Sequence, residues 1–305
     1  MTDPTRNPSV APGTDGTEVR HRRTDVDGIE IFYRECGPAD APVLLLPHGY
    51  PASSYAFRLL MPALGDRWRT VAPDLPGFGY SGTPDPERFP YTFDGYADFL
   101  RRFTEVAGLP RYAIYLHDYG SQFGFRLAMT APEKVIALII SNGDIYEDQH
   151  GPKYAPLKEF WNNPTDEGLR KLGQAVSPEG FRDEFVGEVD DRLAERVAPD
   201  LWTLSWSQLG TPQRRRNLTA LLADQRHTVP WFARQQAYLR DHRPPTLIVW
   251  GHQDGYMPAG AARAYHRDHP GAELHLIEGG HWLLETNFDE VLPIIRDFLA
   301  RAASP

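Results

Sequence analysis

Two residues in the stretch YLHDYGSQFG (115–124) could act as a nucleophile, Asp118 and Ser121. Spacing separates them. An elbow sets its reactive residue on a sharp strand-to-helix turn, and a serine elbow reads Gly-x-Ser-x-Gly. Gly120 directly precedes Ser121, so the serine misses that spacing and reads as the start of a helix. Asp118 ends an apolar run, and Gly120 and Gly124 follow it, which puts it at the turn itself. Asp118 as a simple helix cap is the competing role, and the flanking glycines weigh against it. Ser81, in GYSGT, has a glycine two residues before it but no helical pattern after it.

A carboxylate at an elbow narrows the chemistry. It is ionised at neutral pH and needs no base to attack. Attack on an ester would give a reactive anhydride. Attack on a saturated carbon that bears a leaving group gives a simple ester, which activated water can cleave. The residue type therefore points to displacement at carbon, either epoxide opening or halide removal.

Such an ester needs a base, and the base needs an acid to orient it. His281, in EGGHWLLE, and Asp254, in VWGHQDGYMP, satisfy the chain order nucleophile, acid, histidine. Asp254 would orient His281 and stabilise its charged form. Asp144, in NGDIYED, is the competing acid. In PHGYP (47–51), Gly49 allows a turn that points the Tyr50 N–H inward, and the Tyr119 N–H is the second donor. One oxyanion donor is typically worth ~3 kcal/mol of barrier.

Short apolar runs alternate with helical stretches to hold these groups. Strands are expected at 28–36, 41–49, 68–76, 112–118, 134–142, 245–254 and 272–280, and helices at 53–64, 93–108, 121–132, 260–270 and 287–302. That alternation implies an α/β fold with a mostly parallel sheet flanked by helices. Residues 1–20, rich in Pro, Thr, Gly and Asp, read as a disordered tail. Residues 145–240 hold no convincing strand and read as a helical insertion, dividing the core into 21–144 and 241–305.

A net charge of −9 argues against nucleic-acid or anionic-membrane partners. No apolar run approaches a membrane span. The single cysteine, Cys36, allows no internal disulfide and points to a reducing, cytoplasmic setting. Gly77, Gly79 and Gly82 match GxGxxG, but TPDPERFPY follows and cannot open a helix, so no dinucleotide is expected. His266 and His269 lack a partner set for a metal. No cofactor or metal is expected.

Together HGYPASSYAFRLLMPAL, APDLPGFGYS, HDYGSQFGFRLA, WGHQD and GGHWL resemble the α/β-hydrolase superfamily over residues 25–302. The HGxP segment and the Asp elbow are similar to the branch of epoxide hydrolases and haloalkane dehalogenases. The resemblance implies Asp118, Asp254 and His281 as the triad, backbone donors at Tyr50 and Tyr119, and a helical cap at 145–240. Dehalogenases hold the halide with an indole N–H after the nucleophile and often with an Asn in HGxP; here Tyr119 and Tyr50 stand there. Epoxide hydrolases use cap tyrosines that donate to the epoxide oxygen, and Tyr146, Tyr154 and Tyr238 are the available phenols. An epoxide hydrolase is the leading expectation, a haloalkane dehalogenase the alternative, and a non-catalytic ligand binder on the same scaffold the third. Trp161, Trp202, Trp206, Trp231, Phe160 and Phe232 suggest a small apolar substrate, with water as co-substrate.

Overall fold

The computed structural model describes residues 16–303. Its strands are β1 (Arg20–Val26), β2 (Ile29–Cys36), β3 (Val43–Leu45), β4 (Arg69–Pro73), β5 (Tyr112–Leu116), β6 (Val135–Ile140), β7 (Thr246–Gly251) and β8 (Glu273–Ile277). They form one eight-stranded sheet in the order β1-β2-β4-β3-β5-β6-β7-β8. The β1–β2 and β2–β4 pairs are antiparallel, and every later pair is parallel.

Seven of these strands coincide with the expected ones. β1 was not anticipated. Its sequence RHRRTDV is polar and mostly exposed on both faces, so an edge strand left no apolar alternation to read. It begins at Arg20, the last residue of the expected tail; residues 1–15 of that tail lie outside the described residues.

Alternate residues of each central strand enter different cores. Tyr112, Ile114 and Leu116 of β5 join one cluster, while Ala113 and Tyr115 join the other. Both faces of the sheet are therefore covered, as a parallel sheet requires. The flanking helices are α1 (Leu60–Leu64), α2 (Phe93–Val106), α3 (Asp118–Thr130), α11 (Ala259–Asp268), α12 (Leu283–Thr286) and α13 (Phe288–Ala302). The single helix expected at 53–64 is instead a 3-10 turn, Ser54–Phe57, followed by α1. Pro62 lacks the N–H that would have bonded the Arg58 carbonyl, so no continuous helix forms.

Between β6 and β7 the chain forms α4 (Ala155–Asn162), α5 (Asp166–Gln174), α6 (Pro178–Val186), α7 (Asp191–Ala194), α8 (Asp200–Leu209), α9 (Pro212–Asp224) and α10 (Val229–His242). The starts of several were written locally. Thr165, Ser177, Asp190 and Thr211 each accept a backbone N–H at a helix start, and proline follows Ser177 and Thr211.

The topology singles out one edge. From β3 the chain passes to β4 on one side, then returns to β5 on the other. Ligands in open α/β sheets bind beyond the carboxyl ends of strands at such a switch point. The PHGYP loop leaves β3 there, and Asp118 follows β5.

Candidate active site

Asp118 has φ +48°, a left-handed conformation that costs a non-glycine residue energy and persists only where surroundings enforce it. Two glycines make room for it. A Cβ at Gly49 would lie 2.0 Å from Asp118 Oδ1, and one at Gly120 would lie 2.2 Å from the Pro47 carbonyl. The helix begins at Asp118 itself, three residues earlier than expected, so its N-terminal dipole faces the carboxylate. Ser121 Oγ donates to the Asp118 carbonyl at 2.6 Å, and Ser81 Oγ donates to the Asp74 carbonyl at 2.7 Å. Both serines are thus committed to backbone.

The Tyr50 N–H donates to Asp118 Oδ1 at 2.6 Å. The Tyr119 N–H adjoins the same carboxylate and helps to lower it. The other oxygen, Oδ2, lies 3.3 Å from His281 Nε2. His281 Nδ1 meets Asp254 Oδ2 at 2.8 Å. Asp254 Oδ1 accepts the N–H groups of Tyr256 (2.7 Å) and Met257 (2.9 Å). The predicted nucleophile, base and acid are therefore contiguous. Asp144, the competing acid, accepts instead from His150 Nε2 (2.8 Å) and the Tyr154 hydroxyl (2.9 Å), so it does not serve His281.

Charge follows from this geometry. Burial alone would raise Asp118, but the hydrogen bond and charge of His281 outweigh it and hold the carboxyl below its ordinary value. Burial alone would lower His281, yet Asp254 and Asp118 together hold it well above its ordinary value. His117, beside them, is pushed down to about 4 by burial and by the charge on His281. Both directions favour an imidazolium between the two carboxylates, with the His117 ring tilted against it at 4.6 Å.

A cavity of about 40 Å³ opens onto Asp118. A water molecule needs roughly 10–15 Å³ on that measure, so the space suits a small guest. Tyr50, Tyr119 and Tyr154 line it. Tyr146 and Tyr238 do not, contrary to expectation. Tyr146 donates to Asp268 at 3.0 Å and packs on Tyr265, drawn toward α11. Tyr238 lies in the core near Tyr112, its hydroxyl enclosed without a partner. The six cap aromatics are also absent from the lining. Phe160 and Phe232 pack in the core, and Trp231 lies under the guanidinium groups of Arg126 and Arg234. Their bulk builds the insertion rather than the cavity wall.

Four residues escaped the sequence reading. Asn142, itself at φ +51°, donates to Asp254 Oδ2 (2.7 Å) and pairs with the Gly251 backbone in both directions. Its position before Gly143 at a strand end was the only signal. Glu188 accepts the His281 N–H (3.1 Å) on one oxygen and the Gly255 N–H (2.8 Å) on the other, so one side chain of the insertion ties both catalytic loops. Glu184 and Tyr256 line the cavity together, with the Tyr256 hydroxyl 2.8 Å from Glu184 Oε1. Burial pushes Glu184 up to about 7, against the lowering effect of Lys153 and Tyr256.

Glu188, Asp254 and His281 bring ligand-type atoms within 4.8 Å of one another. The hydrogen bonds just described account for that clustering. No helix among the described residues is long and apolar enough to cross a membrane.

Residues 42–288 match the model of the alpha/beta hydrolase fold family. An uncharacterized hydrolase of Saccharomyces cerevisiae is 30% identical over 88% of this chain and 92% of its own length. A haloalkane dehalogenase of Bradyrhizobium diazoefficiens is 38% identical over 40% of this chain and 38% of its own. The solved haloalkane dehalogenase of Bradyrhizobium elkani USDA94 superposes with a TM-score of 0.78 at 22% identity, covering 94% of this chain and all (100%) of that one. The sheet order and the match over most of the chain place this protein in the alpha/beta hydrolase fold family, as an α/β-fold hydrolase.

Proposed function

We propose that the protein hydrolyses a small electrophile through a covalent ester on Asp118, with an epoxide as the substrate class. The carrying observation is the Asp118 carboxylate held between the Tyr50 N–H (2.6 Å) and His281 Nε2 (3.3 Å), at the mouth of a cavity. In the first step a carboxylate oxygen attacks the substrate carbon. The bond to the leaving atom breaks, and its electron pair goes to that atom. Esterification removes the Asp118 charge, one of the influences that keep His281 protonated, so the imidazolium gives its proton to solvent, becomes a competent base, and regains a proton when the carboxylate is restored. Neutral His281 then takes a proton from water as the water oxygen adds to the ester carbonyl carbon. The Tyr50 and Tyr119 N–H groups hold the resulting oxyanion. Collapse breaks the ester bond, restores the carboxylate and releases the product alcohol, which takes up a proton. Asp254, held by four donors including Asn142, keeps the imidazole oriented throughout.

The epoxide reading rests on what faces the nucleophile. No tryptophan lines the cavity among the described residues, whereas hydroxyl and carboxyl groups do. Such donors suit an oxygen leaving group more than a halide. The insertion then acts as a cap, contributing Tyr154, Glu184 and Gln225 to the wall. A single buried cysteine suits a reducing cytoplasm. The second reading, a haloalkane dehalogenase, is favoured by the 38% identity to the dehalogenase of Bradyrhizobium diazoefficiens over 40% of this chain.

The test is trapping. His281→Gln is incubated with matched epoxides and haloalkanes, and the Asp118 peptide is analysed by mass spectrometry. An adduct that retains the epoxide oxygen as a new hydroxyl supports the first reading. An adduct from haloalkanes alone supports the second. Modification at another residue, or none, refutes the covalent mechanism.

A further inference from the structure

An epoxide oxygen leaves as an alkoxide, a strong base that demands a proton at the moment the ring opens. The phenols around the cavity cannot readily supply one. The Tyr119 hydroxyl donates to Gln225 Oε1 at 3.0 Å. The Tyr154 hydroxyl donates to Asp144 at 2.9 Å and accepts from Gln225 Nε2 at 3.1 Å. The Tyr50 hydroxyl is enclosed, with no partner among the described residues. The Tyr256 hydroxyl donates to Glu184 Oε1 at 2.8 Å. Of the other groups there, Asp118 is the nucleophile, His281 is spent on its carboxylate, and Asp144 accepts from His150 and Tyr154, which leaves Glu184.

Resting on the covalent reading above, we propose that Glu184 is the proton donor of the first step, and that it fits this site to strained cyclic ethers rather than to halides. Tyr256 occupies Oε1, which leaves Oε2 to carry the proton toward the guest; no hydrogen bond to Oε2 is found among the described residues. As Asp118 attacks carbon, the ring C–O bond breaks and its electron pair takes the Glu184 proton. The products are an ester with a free hydroxyl and a Glu184 carboxylate. The Tyr256 hydroxyl stabilises that carboxylate, and Lys153 lies close enough to favour it. Hydrolysis of the ester regenerates the Asp118 carboxylate and releases one proton, which reloads Glu184. The sum is epoxide plus water to diol, with no net change in the protein.

A carboxyl that is protonated near neutral pH can do this, and burial pushes Glu184 up to about 7. The charged and titratable groups around it are Tyr256 and His281 on the loops after β7 and β8, Asp118 and Tyr119 at the start of α3, Tyr50 on the loop after β3, and Lys153 ahead of α4. Lys153 is in turn paired with Asp183 (3.2 Å) and faces Glu188 (3.8 Å).

The experiment measures the rate of Asp118 ester formation in the His281→Gln background across pH 5–9, with and without Glu184→Gln. With Glu184 intact, the rate on epoxides should fall as pH rises through or just above about 7, because the acid is lost and the lowering effect of His281 is absent from this background. In the double variant it should drop about 10²-fold at pH 6 and lose that pH limb. Glu184→Asp should recover part of the rate. Thermal unfolding confirms that the variant is folded; if it is not, Tyr256→Phe should shift the limb to higher pH. An unchanged epoxide rate and pH limb in Glu184→Gln overturns the proton-donor role while leaving the Asp118 ester standing. Ester formation from haloalkanes alone also overturns it. Absence of any Asp118 ester overturns the covalent reading and this inference with it.

Discussion

The two walls of the active site are built differently. On the core side, each proposed reactive group sits just past the end of a strand, and backbone holds the two carboxylates. Asp118 follows β5, Asp254 follows β7 and His281 follows β8, and N–H groups of Tyr50, Tyr256 and Met257 fix the two carboxylates. On the insertion side, Gln225 and Tyr154 are held by side-chain hydrogen bonds to each other and to core residues, in the chain Tyr119–Gln225–Tyr154–Asp144. On the proposed mechanism, the core wall is preorganised for the nucleophile and its base, and the opposite wall decides which leaving group is served. Glu188 joins the two, because its carboxylate bonds the backbone of both catalytic loops.

The largest break in this contrast should come from Asp254→Asn. Three N–H donors and His281 all converge on the carboxylate, and an amide cannot satisfy them equally. Steady-state turnover should fall about 10⁴-fold, with ester hydrolysis hit harder than ester formation in single-turnover assays. Gly49→Ala comes next. Its methyl would press on Asp118 Oδ1 at 2.0 Å, and displacing a nucleophile on that scale costs about 10²-fold. An unchanged rate for this variant would show that the PHGYP turn does not constrain the carboxylate.

Glu188→Ala sharpens the comparison at the joint. It leaves two backbone N–H groups without their acceptor, and chemical denaturation should show a loss of about 2 kcal/mol. Activity should fall as well, since the His281 loop loses its tether.

The smallest effect is a stability difference that depends on pH. The Glu184 carboxyl has an ordinary value of 4.5 and is raised to about 7 in the folded protein. A carboxyl raised on folding favours the folded state most below its unfolded value, and that advantage disappears as pH rises through the folded value. Glu184→Gln carries no such penalty at high pH. Relative to wild type it should therefore be more stable at pH 8.5 than at pH 5, by on the order of 1 kcal/mol once partial exposure is allowed for. Equal differences at both pH values would mean that Glu184 ionises in the folded protein as freely as in water.

Much of the core wall was legible beforehand. Strands buried on both faces leave dense apolar runs, and reactive residues just after such runs inherit their positions from the sheet. The Gly49–Tyr50 and Gly120 signals were equally local, because a left-handed turn and a close carboxylate admit only a missing Cβ at those places. The insertion was less legible. Its helical character was expected but not its separate helices, whose starts the structure shows at Thr165, Ser177, Asp190 and Thr211, nor which face of each helix meets the cavity. Tyr146 and Tyr238 were grouped with Tyr154 by residue type and segment alone, and packing turned both away.

The amino-acid sequence by itself determined the scaffold, the elbow aspartate and its order relative to the acid and the histidine, since each of these is written in short-range pattern and chain direction. Tertiary structure alone decided that Asn142 and Glu188 brace the triad and that Glu184 meets Tyr256 across 72 residues of chain. Those contacts depend on how helices of the insertion settle over the sheet edge, and that placement is a sum of many distant packing contacts that no local stretch encodes.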